Sequence, residues 1–82
     1  MGSITILYPT NNSWIISLNA LEADNIHIQL FDISGKLLQS KSKDINYGLN
    51  KIEQNGSNLS SGTYILEIKG KNFNIQEKLI KK

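Results

Sequence analysis

Any imidazole chemistry in this chain would have to run through one histidine, His27. A lone imidazole is too few donors for a metal cluster. Without a positioned nucleophile and acid it is also too few groups for a catalytic triad. There is no cysteine, so thiolate chemistry and disulfides are both excluded. The seven acids stand mostly beside turns or alternate with lysines, a pattern that solubilises a surface. No spacing singles out two of them as the paired carboxylates of a sugar-cleaving site. Ser34-Gly35-Lys36 offers one glycine and no helix after it, which is not a phosphate loop. These residues imply no catalytic set, no metal and no cofactor.

The segment that reads as built for recognition is the end of the chain, Lys78-Leu79-Ile80-Lys81-Lys82, an apolar pair framed by basic residues. A terminal strand frays unless it is tied down. In a strand, Leu79 shares the face of Phe73 and Ile75 and should dock inward. Ile80 then points out between Lys78 and Lys82.

The whole-chain composition narrows the partners. The formal net charge is +2 and all nine basic residues are lysines, spread among acids. Nucleic-acid readers concentrate arginine and basic charge on one stripe, so that class is excluded. No run of about 18 apolar residues exists to span a membrane. No signal peptide opens the chain, and Met1-Gly2-Ser3 reads as a cloning remnant, leaving residues 4–82 as a domain cut from a longer protein. Asn-x-Ser triplets begin at Asn11, Asn55 and Asn58; in so asparagine-rich a chain they are expected by chance.

The elements that position these residues are short strands. Eighty-two residues make one domain, able to bury roughly 60–65% of its unfolded surface. Turn residues recur at even spacing and no segment holds a helical period. The alternation predicts strands over 4–8, 14–18, 26–32, 36–42, within 47–54, 63–69 and 73–81. The fifth should carry a bulge or break, because Leu49 and Ile52 fall on opposite faces. Ile33-Ser34-Gly35 reads as a hairpin turn with glycine at positive φ. Ala20 to Asn25 holds helix formers but is too short for a lasting helix, and reads as a connection between sheets. About seven short antiparallel strands without helices predict an all-β sandwich with a core about 10 Å thick. Trp14, Leu30, Tyr64, Leu66 and Phe73 are its expected anchors. His27 falls on an outward face, and Trp14 falls in the inward phase with Ile16 and Leu18 rather than on a sugar-stacking surface.

Four pieces occur in a telling order: Tyr8-Pro9-Thr10-Asn11-Asn12; Phe31-Asp32-Ile33-Ser34-Gly35-Lys36 closing a strand; Leu59-Ser60-Ser61-Gly62-Thr63-Tyr64 opening one; and Lys78-Leu79-Ile80-Lys81 at the end. Together they resemble the type IX secretion system C-terminal sorting domain (type A) of Bacteroidetes, across nearly the whole chain. The family's second proline, in Tyr-Pro-Asn-Pro, is missing here. The resemblance implies an Ig-like β-sandwich that acts as a secretion signal for an upstream cargo domain and is not itself an enzyme. It implies passage from the periplasm through an outer-membrane translocon with its shuttle proteins. It also implies removal by a sortase-like cysteine peptidase, which can attach the cargo to surface lipopolysaccharide. The cargo would finish at the outer membrane, at the cell surface or in the medium.

The basic-apolar signal of the family maps to Lys78, Leu79, Ile80, Lys81 and Lys82. Its Asp-x-x-Gly-Lys turn maps to Asp32, Gly35 and Lys36, and its Gly-x-Tyr strand opening to Gly62 and Tyr64. The residues by themselves explain Gly35 and Gly62 by turns, and Tyr64 by a hydroxyl bonded back to nearby backbone, a recurring sandwich device. Two other readings compete. A carbohydrate-binding module would need an exposed aromatic platform from Tyr8, Tyr47, Phe31 or Trp14. A fibronectin-like spacer would need no recognition surface.

Overall fold

The computed structural model describes the backbone of residues 3–7 and, in full, residues 13–81. Within these it holds no helix and seven strands: β1 (Ser3–Leu7), β2 (Ser13–Ala20), β3 (Asp24–Asp32), β4 (Leu37–Ile45), β5 (Gly48–Asn55), β6 (Gly62–Lys69) and β7 (Asn74–Lys81). They form two antiparallel sheets, ordered β1-β2-β5 and β4-β3-β6-β7. The architecture is the expected all-β, Ig-like sandwich. The expected opening turn at Tyr8-Pro9-Thr10-Asn11-Asn12 lies outside the described residues.

Period-two alternation produces the sandwich directly. Trp14, Ile16, Leu18 and Ala20 of β2 are buried, as are Ile26, Ile28 and Leu30 of β3 and Tyr64, Leu66 and Ile68 of β6. Their neighbours in sequence face the other way. Burying one such aliphatic side chain contributes about 1.5–3 kcal/mol, and these residues from both sheets form one continuous cluster. Leu38, Leu59, Phe73 and Ile75 pack against its margin. Four of the five expected anchors are therefore fully inside, while Phe73 is only partly buried.

Two local expectations are corrected. β5 has no bulge: it pairs with β2 in unbroken register from Ser13↔Asn55 to Ala20↔Gly48. Ile52, opposite Ile16, sets the inward phase, and Leu49 simply faces water at 69% exposure. A single exposed apolar side chain costs a strand little. The irregularity lies instead between β3 and β4, where Leu30↔Gln39 is followed by Phe31↔Leu37. This shift lets Leu38 join the core while Leu37 turns outward. β4 also runs on to Ile45, which is buried. Leu21 to Ala23 carries the chain from one sheet to the other, as the connection reading required.

Candidate functional site

β7 is an edge strand, hydrogen-bonded only to β6, with Lys78 opposite Ile65, Leu79 opposite Tyr64, Ile80 opposite Thr63 and Lys81 opposite Gly62. Three attachments hold its end. Leu79 is completely buried in the core. The indole N–H of Trp14, from the facing sheet, donates to the carbonyl of Ile80 at 3.4 Å. The Lys81 ammonium donates to the carbonyl of Leu59 at 2.7 Å and to that of Gly56. The chain end is thus tied to the 56–59 turn by a charge-assisted bond, a class worth about 1.5–3 kcal/mol when shielded from water.

These contacts split the predicted signal into two groups. Leu79 and Lys81 face inward and anchor. Lys78 and Ile80 face outward, Ile80 at 44% exposure. Lys82 lies outside the described residues. Lys78 and Lys81 are both lysines flanking the same apolar pair, and strand parity separates them, since Lys81 shares the phase of Leu79.

The Asp32–Lys36 turn is accounted for atom by atom. Asp32 Oδ1 accepts from the Ser34 N–H at 2.9 Å, the Ser34 hydroxyl at 2.6 Å and the Lys36 N–H at 2.9 Å. Backbone bonds of 3.0 Å run from the Gly35 N–H to the Asp32 carbonyl and from the Asp32 N–H to the Lys36 carbonyl. Gly35 sits at φ 93°, where a side chain would be strained. The Ser34 hydroxyl, then the Lys36 N–H, hold the Asp32 carboxyl below the usual aspartate range. At Gly62, φ is 152°, a conformation open to glycine almost alone. The Tyr64 hydroxyl donates to the Ser60 carbonyl at 2.5 Å. It is the back-bonded tyrosine that the residues suggested.

The remaining polar groups are dispersed. His27 is exposed, its Nδ1 lying 3.2 Å from the Ser42 hydroxyl. Among the described residues, no group of three or more His, Cys, Asp or Glu side chains converges as a metal site would require. Glu67 is a buried acid that sequence reading missed: it accepts from Gln76 at 3.1 Å and lies 3.7 Å from the Lys69 ammonium. Of the aromatic candidates for a sugar platform, Trp14 is buried, Phe31 half-buried and Tyr47 77% exposed; Tyr8 lies outside the described residues.

The family model for the secretion system C-terminal sorting domain matches residues 8–82. No curated protein and no solved structure matches the chain.

Proposed function

The chain belongs to the type IX secretion system C-terminal sorting domain family, and on that premise we propose that it is a folded export signal, read in trans, which catalyses nothing itself. It directs an attached cargo from the periplasm through the outer-membrane translocon, with the shuttle proteins of that system as its receptors. A sortase-like cysteine peptidase then removes it, leaving the cargo at the cell surface or in the medium. Lys78, Leu79, Ile80, Lys81 and Lys82 form the recognition segment; Asp32, Gly35, Lys36, Gly62 and Tyr64 hold the frame in which it is displayed.

The observation that carries this reading is the way β7 is held. Its inward residues bind it to the sandwich, while Lys78 and Ile80 face outward on an edge strand. A strand edge presents free backbone groups for pairing with a partner chain, and the side chains beside it give that pairing selectivity. In this arrangement Leu79 and Lys81 keep the strand seated, and Lys78 and Ile80 meet the receptor.

The test is export of a reporter fused to residues 4–82 in Bacteroidetes cells with and without a working translocon. Translocon-dependent secretion is expected. Deleting Ile80 to Lys82 should stop it, and the double variant Lys78→Ser, Ile80→Ser should stop it without lowering the melting temperature of the isolated domain. Normal secretion of the truncated fusion would refute the assignment of these residues.

A further inference from the structure

Strand register gathers residues distant in sequence onto the outer face of the four-stranded sheet. Leu37 pairs with Phe31, Phe31 with Ile65, and Ile65 with Lys78, one row crossing all four strands. All lie in the outward phase, because Leu30, Leu66 and Leu79, their sequence neighbours, are buried. Beyond this row stands Ile80, paired with Thr63, and Ile33 projects from the adjoining turn. On the other side the next row is polar throughout: Ser40, Gln29, Glu67 and Gln76. The apolar area therefore has a sharp border and lies at the end of the sheet that holds both the 32–36 turn and the chain's last strand. Three of the six large apolar side chains exposed among the described residues are here: Ile33 at 79%, Leu37 at 47% and Ile80 at 44%. A contiguous exposed apolar area rimmed by polar residues is characteristic of an interaction site.

The charge around it is net positive, with Lys36, Lys69 and Lys78 against Asp32 and Glu67. Lys78 ends the row and is exposed, and Lys36, also exposed, precedes Leu37. The two acids nearby are engaged by local partners. The Asp32 carboxylate is occupied by N–H and hydroxyl donors of its own turn. Glu67, one row off, is 8% exposed beneath its contacts with Gln76 and Lys69. We propose that this face, centred on Ile33, Leu37, Ile65 and Ile80, docks a protein surface that presents apolar side chains flanked by carboxylates. Complementary charge sets orientation and selectivity, and the apolar contacts supply most of the affinity. Three lysines offset by two acids are too few for an anionic membrane, which recruits larger basic clusters. A second copy would set Lys78 or Lys36 against a face already carrying the same charge.

The proposal rests on the export-signal reading and deepens it, since both motif regions would then belong to one receptor surface. The experiment uses the reporter fused to residues 4–82 in cells with an intact type IX system, with Ile33→Ser and Leu37→Ser as test variants. Neither residue belongs to the terminal segment. Leu49→Ser, on the outer face of the other sheet, is the control. Loss of an interface anchor typically weakens binding by about tenfold or more. Export of the test variants should accordingly fall about tenfold, with melting temperatures unchanged and Leu49→Ser exported normally. Lys78→Glu should reduce export more than Lys78→Gln.

A photo-crosslinking side chain placed at position 37 of the fusion should join it to a protein segment rich in apolar and acidic residues. If the unaltered fusion is not exported, the export-signal reading itself fails. If it is exported and the test variants are too, this docking face is wrong while that reading stands. Crosslinking to a second copy or to a basic segment would also overturn the proposal. So would binding of the domain to vesicles of anionic phospholipid that Leu37→Ser abolishes.

Discussion

The two edges of the four-stranded sheet, β4 and β7, are closed by different means. Along β4, side chains lean across to the backbone of β5 in the facing sheet. Gln39 donates to the Asn55 carbonyl at 3.1 Å, Lys41 donates to the Glu53 carbonyl at 2.7 Å, and Gln54 donates to Gln39. Ser40, Ser42, Lys43 and Asp44 make the middle of the strand polar and charged, a composition that discourages edge pairing. β7 packs Ile75 on the core's margin and is fastened near its end by Leu79, Lys81 and the Trp14 indole, while Ile80 stays exposed. One edge is clasped to the facing sheet by Gln39 and Lys41. The other is pinned near its end and displays Lys78 and Ile80 on its outer face. The difference teaches that a lysine's role here follows from strand phase rather than residue type: Lys41 and Lys81 are clasps, and Lys78 is presented.

The largest expected effect comes from the pin. Leu79→Ala should cost about 2–5 kcal/mol in urea denaturation, a large share of the roughly 5–15 kcal/mol of a small domain. Leu38→Ala, at the partly buried margin of β4, should cost less; equal losses would mean that both edges depend on the core alike. Lys81→Met should cost about 1–2 kcal/mol. That is the low end for a charge-assisted bond because the ammonium is half in water. Amide exchange should then quicken in β7 and not in β4.

Ile80→Ser should shift stability by no more than about 0.5 kcal/mol, as for an ordinary surface site, and still abolish export. A large stability loss would place Ile80 among the anchors instead of the displayed residues. Lys41 gives a contrast in pH. Although Lys41 is largely exposed, partial desolvation of its ammonium, then the neighbouring Lys43, lowers its pKa in the folded state, so unfolding takes up a proton. Stability relative to Lys41→Met should therefore rise as pH climbs through that lowered value, and a flat difference would argue against desolvation of the ammonium.

The smallest effect is at the hairpin turn. The Asp32 carboxyl is depressed on folding, so its contribution is present above the ordinary aspartate pKa and fades as pH falls through the lowered one. The midpoint difference between the natural protein and Asp32→Asn, followed down the acid range, should shrink accordingly.

Most of the architecture was legible because Ile, Leu and Tyr at alternate positions of β2, β3 and β6 signal burial on one face. The 32–36 turn was legible for a related reason, since Asp, Ser and Gly each bring a specific local bond or dihedral. Reading failed where two physical demands share one residue type. Leu49 is apolar and looked inward, yet pairing with β2 sets the phase of β5 and sends it out. Lys81, read as part of the terminal signal, shares the phase of Leu79, but its acceptors, main-chain carbonyls of the 56–59 turn, are not readable from β7 itself. Phe73 looked like an anchor, but it lies in the turn before β7 and reaches only the core's rim. None of these outcomes is written in a single strand. Each depends on which neighbour the register supplies.

Trp14 is the chain's only tryptophan, and its ring nitrogen touches the main chain at Ile80. The protein thus carries its own optical gauge for the seating of its terminus. Emission from that indole should redden whenever β7 lifts away, whether by heat, by truncation or in the grip of a receptor, so capture and release of the tail can be timed without attaching a dye.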